Sequence, residues 1–218
     1  MNSPLIQLLV LAGIAIFLIL RLKSVLGTRE GFEKPPVPQS APRAAKRDFE
    51  VIEGGPDRDI TDHVAEGSDS ARELAAMKRI EPGFSVTDFV QGARGAYEMI
   101  VMGFERGNLS EIQPFLAEDV FEAFVDVVSA REDQGLKIEA DFIGVRETSI
   151  QNVVFHKDTN VAEITMRFVG EMTSVVRDRG GDIIEGSPTA VKRQKDTWTF
   201  ARTMGENDPN WLLVATDA

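Results

Sequence analysis

The residue types that could carry chemistry are few in this chain. There is no cysteine, and the only histidines are His63 and His156. The first falls in an acidic stretch and the second beside a predicted hairpin loop, so we expect both to be exposed and far apart. A Ser–His–Asp triad or a histidine metal centre is therefore not expected. Without thiols, the chain has no disulfide framework, cysteine nucleophile or cysteine metal site.

Carboxylates are the remaining candidates for acid–base chemistry. Asp141, Glu163 and Asp196 lie on predicted strands and could meet in a pocket, although carboxylates on half-solvated strands are more often surface charges. Residues 57–63 superficially resemble a calcium loop but lack its sixth-position glycine and closing glutamate. The glycine pair at 180–181 lies in a predicted hairpin and opens no helix, so it predicts no phosphate site. We therefore predict no catalytic residue, no metal, no cofactor and no enzymatic activity.

The chain begins with an apolar stretch, and no charged side chain occurs before Arg21. As a helix, Pro4 to Leu26 would be about 35 Å long, which is enough to cross the hydrocarbon core of a bilayer. A signal peptide would carry positive charge before the apolar run, and a buried core helix would have a polar face. The sequence has neither feature, so we predict that residues 1–27 form a single transmembrane anchor.

Basic residues follow the apolar stretch. Residues 21–47 contain seven basic residues and two acidic ones, and positive charge is retained on the cytoplasmic side of a membrane. The N-terminus should therefore face out, and the rest of the chain should lie in the cytoplasm. Arg21, Lys23 and Arg29 are predicted to lie at the membrane interface, near anionic lipid headgroups. The net charge of the whole chain is −11, which argues against nucleic acid as a partner.

The next segment has the composition of a disordered linker. Residues 34–42 are rich in proline, and residues 48–69 are acidic with few large apolar side chains. We predict that residues 28–70 form a linker with a reach of about 35–40 Å, and that residues 71–218 form one folded domain.

The hydrophobic period of the domain changes part-way along its sequence. Helical periodicity predicts three main helices: 70–79, a longer one that begins at Ser85, and 118–134. From Lys137 apolar and polar residues alternate, with the clearest strand at 161–172 and predicted turns at 157–160, 179–182 and 185–188. Helices followed by antiparallel strands predict an α+β fold. We expect the helices to pack on a curved antiparallel sheet, as in the nuclear-transport-factor-like or cystatin-like cone.

The helix that begins at Ser85 has a glycine-containing flank and a broad aromatic face. Each helical glycine costs about 1 kcal/mol relative to alanine, so Gly92, Gly95 and Gly103 predict close approach of another backbone in the same domain. The aromatic face is consistent with an ordinary core or with a partly open cavity, and we favour the cavity. Its predicted apolar lining is Phe89, Ala93, Tyr97, Ile100, Phe121, Phe124, Met166, Phe168, Trp198 and Phe200.

Several short motifs resemble one known family. They are Phe89-Val90-x-Gly92-Ala93-Arg94-x-Ala96-Tyr97, Gly107-Asn108-Leu109, Trp198-Thr199-Phe200-x-Arg202 and Pro209-Asn210-Trp211. Residues 71–217 are similar to the C-terminal domain of the Tim44-like family, which includes the scaffold of the mitochondrial import motor. Residues 21–33 resemble bacterial members that are anchored by one span. The resemblance implies the cone fold, an apolar cavity and an adaptor role at the bacterial inner membrane, whereas chaperone binding is not implied because the long helical region is missing.

Three functions follow as hypotheses. We favour a membrane-tethered, non-enzymatic adaptor that binds protein clients or lipid during protein translocation or membrane-protein assembly. The first alternative is a lipid-binding or lipid-shuttling module, because a cone cavity suits an acyl chain. The second is a small-molecule lyase or isomerase, since a fold does not fix function; it would need two acids, or an acid and a base, in the cavity.

Overall fold

The computed structural model describes residues 55–217. The predicted anchor, residues 1–27, and residues 28–54 of the predicted linker lie outside this part of the chain. None of the helices within residues 55–217 is long and apolar enough to cross a membrane.

The described helices precede the described strands. The helices are α1 (Arg58–Thr61), α2 (Asp69–Ile80), α3 (Val86–Arg106), α4 (Leu109–Ile112), a 3₁₀-helix (Gln113–Phe115) and α5 (Glu118–Asp133). The strands are β1 (Lys137–His156), β2 (Val161–Arg177), β3 (Ile183–Thr203) and β4 (Leu212–Asp217). They form one antiparallel sheet in the order β1-β2-β3-β4, which confirms the predicted α+β class.

The central strand β2 supplies the floor of the core. Every second residue in its first half is fully buried: Ala162, Ile164, Met166 and Phe168. The residues between them are half-exposed. This alternation is the period of two that the sequence predicts. Helices α2 and α3 cover the buried face, so the core lies between the helix layer and one side of the sheet.

One predicted turn lies inside strand β3 and is wrong. The sequence Glu185-Gly186-Ser187-Pro188 was expected to reverse the chain, but β3 continues through it. The pairing with β2 instead shifts between Ser174↔Ser187 and Met172↔Lys192, so this part of β3 is a long bulge. Gly186, with φ of 80°, bends the strand without reversing it.

Helix α3 begins where its sequence predicts. The Ser85 hydroxyl accepts a hydrogen bond from the Asp88 amide at 3.1 Å, and Gly107 ends the helix in the left-handed conformation. The glycine prediction is met only in part. At Gly103 a Cβ would lie 2.5 Å from Ile112, so a neighbour does approach closely, but through its side chain and not through its backbone. A Cβ at Gly92 or Gly95 would contact nothing within 4 Å, so the prediction is wrong for these two.

The last part of the predicted linker is folded. Asp59 lies in α1, and its carboxylate accepts hydrogen bonds from the amides of Val86 and Thr87, at 2.7 and 2.9 Å. It also pairs with Lys78 at 2.7 Å, and the neighbouring Ile60 is 3% exposed. The prediction of disorder is therefore wrong for this segment. The composition of the segment suggested that its acidic residues are solvated. The Asp59 carboxylate instead accepts hydrogen bonds from the free amides at the start of α3.

Replacing Asp59 with asparagine should lower the free energy of unfolding by about 1–2 kcal/mol at pH 7, because a charged cap and an ion pair are lost. Lys78 and the amides of α3 hold the pKa of this carboxyl far below its usual value. Its stabilisation is therefore present above the unfolded pKa, near 4, and is lost as the pH falls below that value. Urea denaturation of the two proteins at pH 7 and pH 3 measures this effect.

Asp88, an exposed acidic residue in the first turn of α3, provides the matched control, since Asp88→Asn should change stability much less. Equal stability of the Asp59→Asn variant and the parent at pH 7 would contradict the role of the segment. A difference that stayed constant down to pH 3 would contradict the electrostatic cause.

Candidate functional site: a groove where strand β4 ends

Most of the predicted cavity residues form a closed aromatic core. Tyr97 stacks on Phe168 with ring centroids 4.5 Å apart and lies 4.8 Å from Trp198. Phe89, Ala93, Ile100, Met166 and Phe200 are buried in the same cluster, and the half-buried Phe121 and Phe124 pack against it. The structure thus brings all ten residues together, but it places most of them in the packed interior.

A groove opens beside this core at the end of β4. It has a volume of about 300 Å³. Ile100, Phe124 and Trp198 are the predicted cavity residues that line it, and the other lining residues are Val101, Phe104, Glu105, Gln194, Asp196, Thr216 and Asp217. Helices α3 and α5 supply its apolar wall, while the polar groups come from β3, the end of β4 and the last turn of α3.

Tyr97 and Asp196 form a buried polar pair at the base of the groove. Asp196 is 4% exposed, and no other charged residue in the described part of the chain is buried. Its carboxylate accepts a short hydrogen bond from the Tyr97 hydroxyl and another from the Gln194 side-chain amide at 2.9 Å. Burial, together with the Asp196 charge, raises the pKa of Tyr97 far above its usual value, so the hydroxyl stays protonated and donates.

Glu105 places a second carboxylate in the groove. Loss of water around it raises its pKa, and the nearby Arg131 and Lys192 partly offset that rise. Arg131 itself lies over the Phe104 ring at 4.4 Å. Every ionisable residue that lines the groove is acidic, so the groove favours cationic groups.

The three strand carboxylates considered from the sequence do not meet. Asp141 is exposed on β1, and Glu163 lies on the opposite face of the sheet, 3.9 Å from His156. Of the three, only Asp196 lines the groove, and its acidic neighbour there, Glu105, comes from α3. The predicted cavity lining does not include Glu105. Its position could have indicated this role, because Glu105 directly follows the aromatic Phe104 and so lies beside the apolar face of the helix.

Neither histidine lines the groove. His156 is exposed, as predicted, whereas His63 is half-buried and its Nε2 lies 3.0 Å from the Thr87 hydroxyl. Within residues 55–217, no group of histidine, aspartate and glutamate side chains has the geometry to hold a metal ion. The predicted membrane-interface residues Arg21, Lys23 and Arg29 lie outside the described residues.

Comparison with known proteins identifies the domain. The Tim44-like domain matches residues 70–218. This chain belongs to the Tim44-like family. The mitochondrial import inner membrane translocase subunit TIM44-1 of Arabidopsis thaliana is 20% identical over 162 residues, which are 72% of this chain. Those residues are 34% of the relative, so the chain spans about a third of that protein.

A solved structure is also similar in part. The intermembrane space region of the chloroplast protein ARC6 aligns with a TM-score of 0.40 and 11% identity, over 59% of this chain and 94% of that one.

The Tim44-like motifs at the end of the domain have structural roles. Arg202 donates to Glu81 at 2.5 Å and lies 5.3 Å from the Trp211 ring. Trp211 packs on Phe89 with centroids 4.7 Å apart, and Glu81 also accepts from the Gly205 amide. The arginine and tryptophan of the motifs therefore join the turn between α2 and α3 to the sheet.

Replacing Tyr97 with phenylalanine should cost about 1–3 kcal/mol of unfolding free energy, because it leaves a buried carboxylate with one hydrogen bond fewer at nearly constant volume. Urea denaturation measures the loss. Asp196→Asn, alone and combined with Tyr97→Phe, completes a double-mutant cycle. We expect the two losses to be non-additive. Additive losses would show that the pair does not act as a unit.

Proposed function

We propose that this chain is a membrane-tethered, non-enzymatic adaptor. Its domain binds protein clients at the cytoplasmic face of a bacterial inner membrane, during protein translocation or membrane-protein assembly. The observation that carries this proposal is the joining, in one chain, of a Tim44-like domain to an uncharged apolar N-terminal stretch followed by basic residues. The similarity to an Arabidopsis subunit of the mitochondrial import inner membrane translocase supports it.

The groove supports binding better than catalysis. Glu105 and Asp196 share it, which is the arrangement that a lyase or isomerase would need. However, Asp196 is held by hydrogen bonds from Tyr97 and Gln194, so both of its oxygens are already engaged within the protein. The groove has apolar walls and acidic groups, which suit a peptide with apolar and basic side chains.

Lipid remains a weaker candidate than protein. The acidic lining of the groove repels the headgroups of anionic phospholipids, and the large aromatic residues that could have lined an acyl-chain cavity are packed together instead. We therefore assign the contact with lipid to the basic segment around Arg21, Lys23 and Arg29 and the contact with clients to the domain.

Orientation is the first test. Green fluorescent protein fused after Ala218 should fluoresce, and alkaline phosphatase at the same position should be inactive, because the basic residues retain the domain in the cytoplasm. Replacing Arg21 and Lys23 with glutamine should reduce this asymmetry, whereas replacing Lys157 and Arg179 should not. An active phosphatase fusion of the parent would overturn the topology.

Client binding is the second test. A photo-crosslinking residue is placed in the full chain at Met99, Gln151 or Gln194, which lie on α3, β1 and the groove. In intact membranes we expect crosslinks to discrete proteins, and their loss when residues 1–27 are removed, since tethering raises the local concentration. Crosslinks to lipid alone would favour the lipid-binding module, and the absence of protein crosslinks at all three positions would overturn the adaptor function.

A further inference from the structure

One face of α3 is uncovered in the part of the chain that the structure describes. Met99 on this face is 37% exposed, and a Cβ at Gly92 or Gly95 would meet nothing within 4 Å. Gly95 and Met99 line a surface groove of about 390 Å³ that α3 forms with the first part of β1. The face lies on the opposite side of the helix from the buried Tyr97, because residues two positions apart in a helix point in nearly opposite directions.

Charged residues of opposite sign lie at the two ends of this face. Asp88 is in the first turn of α3 and Arg106 is in the last turn, and both are exposed. Gly95 follows Asp88 by seven positions, and Met99 precedes Arg106 by seven positions. Seven positions are about two helical turns, so all four residues lie on one side of the helix. The uncovered face therefore has an acidic end, an apolar middle and a basic end.

This face is complementary to itself when it is turned end over end. Asp88 and Arg106 lie nine positions before and after Tyr97, and Gly95 and Met99 lie two positions before and after it. A two-fold axis level with Tyr97 would therefore place Asp88 opposite the partner's Arg106. The same axis would place Met99 over the partner's Gly95, where the absence of a side chain leaves room for it.

We propose that two copies of this chain associate through the uncovered face of α3, with the two helices antiparallel. A crossing angle of about 20°, one of the common classes of helix packing, keeps the ends of the two helices within reach of each other. Each Met99 side chain leaves water and enters the groove beside the partner's Gly95, and one ion pair forms at each end of the contact.

Charge selects the antiparallel arrangement over the parallel one. Parallel helices would bring each Asp88 against the partner's Asp88, and each Arg106 against the partner's Arg106. In the antiparallel pair, Glu98, which also lines the groove, lies opposite the partner's Ala96 and meets no like charge. Arg94 is directed to the sheet, since it donates a hydrogen bond to the Val145 carbonyl at 2.9 Å.

The contact is small, so the association should be reversible. One helix face from each chain covers less area than a permanent dimer interface. Tethering of both copies to one membrane would raise their local concentration and favour the pair. This inference concerns a surface of the domain other than the groove at the end of β4, and it goes beyond the adaptor function.

Engineered disulfides test the contact directly, because the chain has no cysteine. Two full-length chains with different tags, one with Gly95→Cys and the other with Met99→Cys, are co-expressed, and their membranes are mildly oxidised. We expect a disulfide-linked pair that carries both tags. Its yield should be at least about fivefold higher than that of Gln151→Cys with Met99→Cys, since a disulfide needs Cα atoms within about 7 Å.

Charge reversal tests the antiparallel register in the same crosslinking experiment. Asp88→Arg or Arg106→Asp, present in both chains, replaces two attractive contacts by two repulsive ones and should lower the yield about fivefold. The two substitutions together should restore the yield to near that of the parent. This rescue excludes a loss of helix stability as the cause, because the double variant opposes the dipole of α3 at both ends.

A larger side chain in the uncovered face separates association from folding. Gly95→Leu should lower association about tenfold, measured as energy transfer between fluorescent proteins fused after Ala218 of full chains in liposomes. Its stability in urea should not fall, because leucine is the better helix former and the position has open space. Ala123→Leu, an equal addition of bulk at an exposed position of α5, should leave the energy transfer unchanged.

Three results would overturn the inference. Energy transfer that persists in the Gly95→Leu variant would place any association elsewhere in the chain. Failure of the double charge reversal to restore the crosslink would contradict the register. Crosslinks from the cysteine of the Gly95→Cys variant only to a client protein, or only to a cysteine introduced within residues 1–54 of the same chain, would identify a different occupant. Client crosslinks from Gln151 or Gln194 without any crosslink between copies would refute the pairing and leave the adaptor function standing.

Discussion

The contact between Tyr97 and the sheet constrains the rest of the domain. Its ring stacks on Phe168 and its hydroxyl reaches Asp196 on the next strand, so one side chain fixes α3 against both β2 and β3. The contact requires a glycine at position 170, where a Cβ would lie 2.8 Å from the Tyr97 hydroxyl. Burying a carboxylate without a partner is costly, and this hydrogen bond therefore penalises other placements of the helix layer.

Charged residues at the other end of the domain hold the helix layer in a different way. Asp59 and Lys78 close the start of α3, and Arg202 links the turn before α3 to the last strands through Glu81. In each case a charge has several hydrogen bonds and little contact with water, which makes it worth more than an exposed ion pair. The segment that precedes α2 is thus part of the domain.

The groove lies beside the closed aromatic core and is lined by carboxylates. Glu105, Asp196 and Asp217 all face it, and none of the rings that stack around Tyr97 has to move to make room for it. A domain built on a closed aromatic core can in this way remain stable while presenting an acidic groove at its surface.

The sequence by itself determined the order of elements, the cap at Ser85, the alternation along β2 and the membership in the Tim44-like family. These features depend on neighbours in the chain, and period, capping chemistry and motif spacing record them directly. Tertiary structure alone decided that the aromatic residues fill a core, that Asp59 caps α3, and that Glu105 and Asp196 share a groove. Each of these depends on residues far apart in sequence, such as Tyr97 and Asp196, which are 99 positions apart. The burial that gives a carboxylate its role is a property of the packed fold.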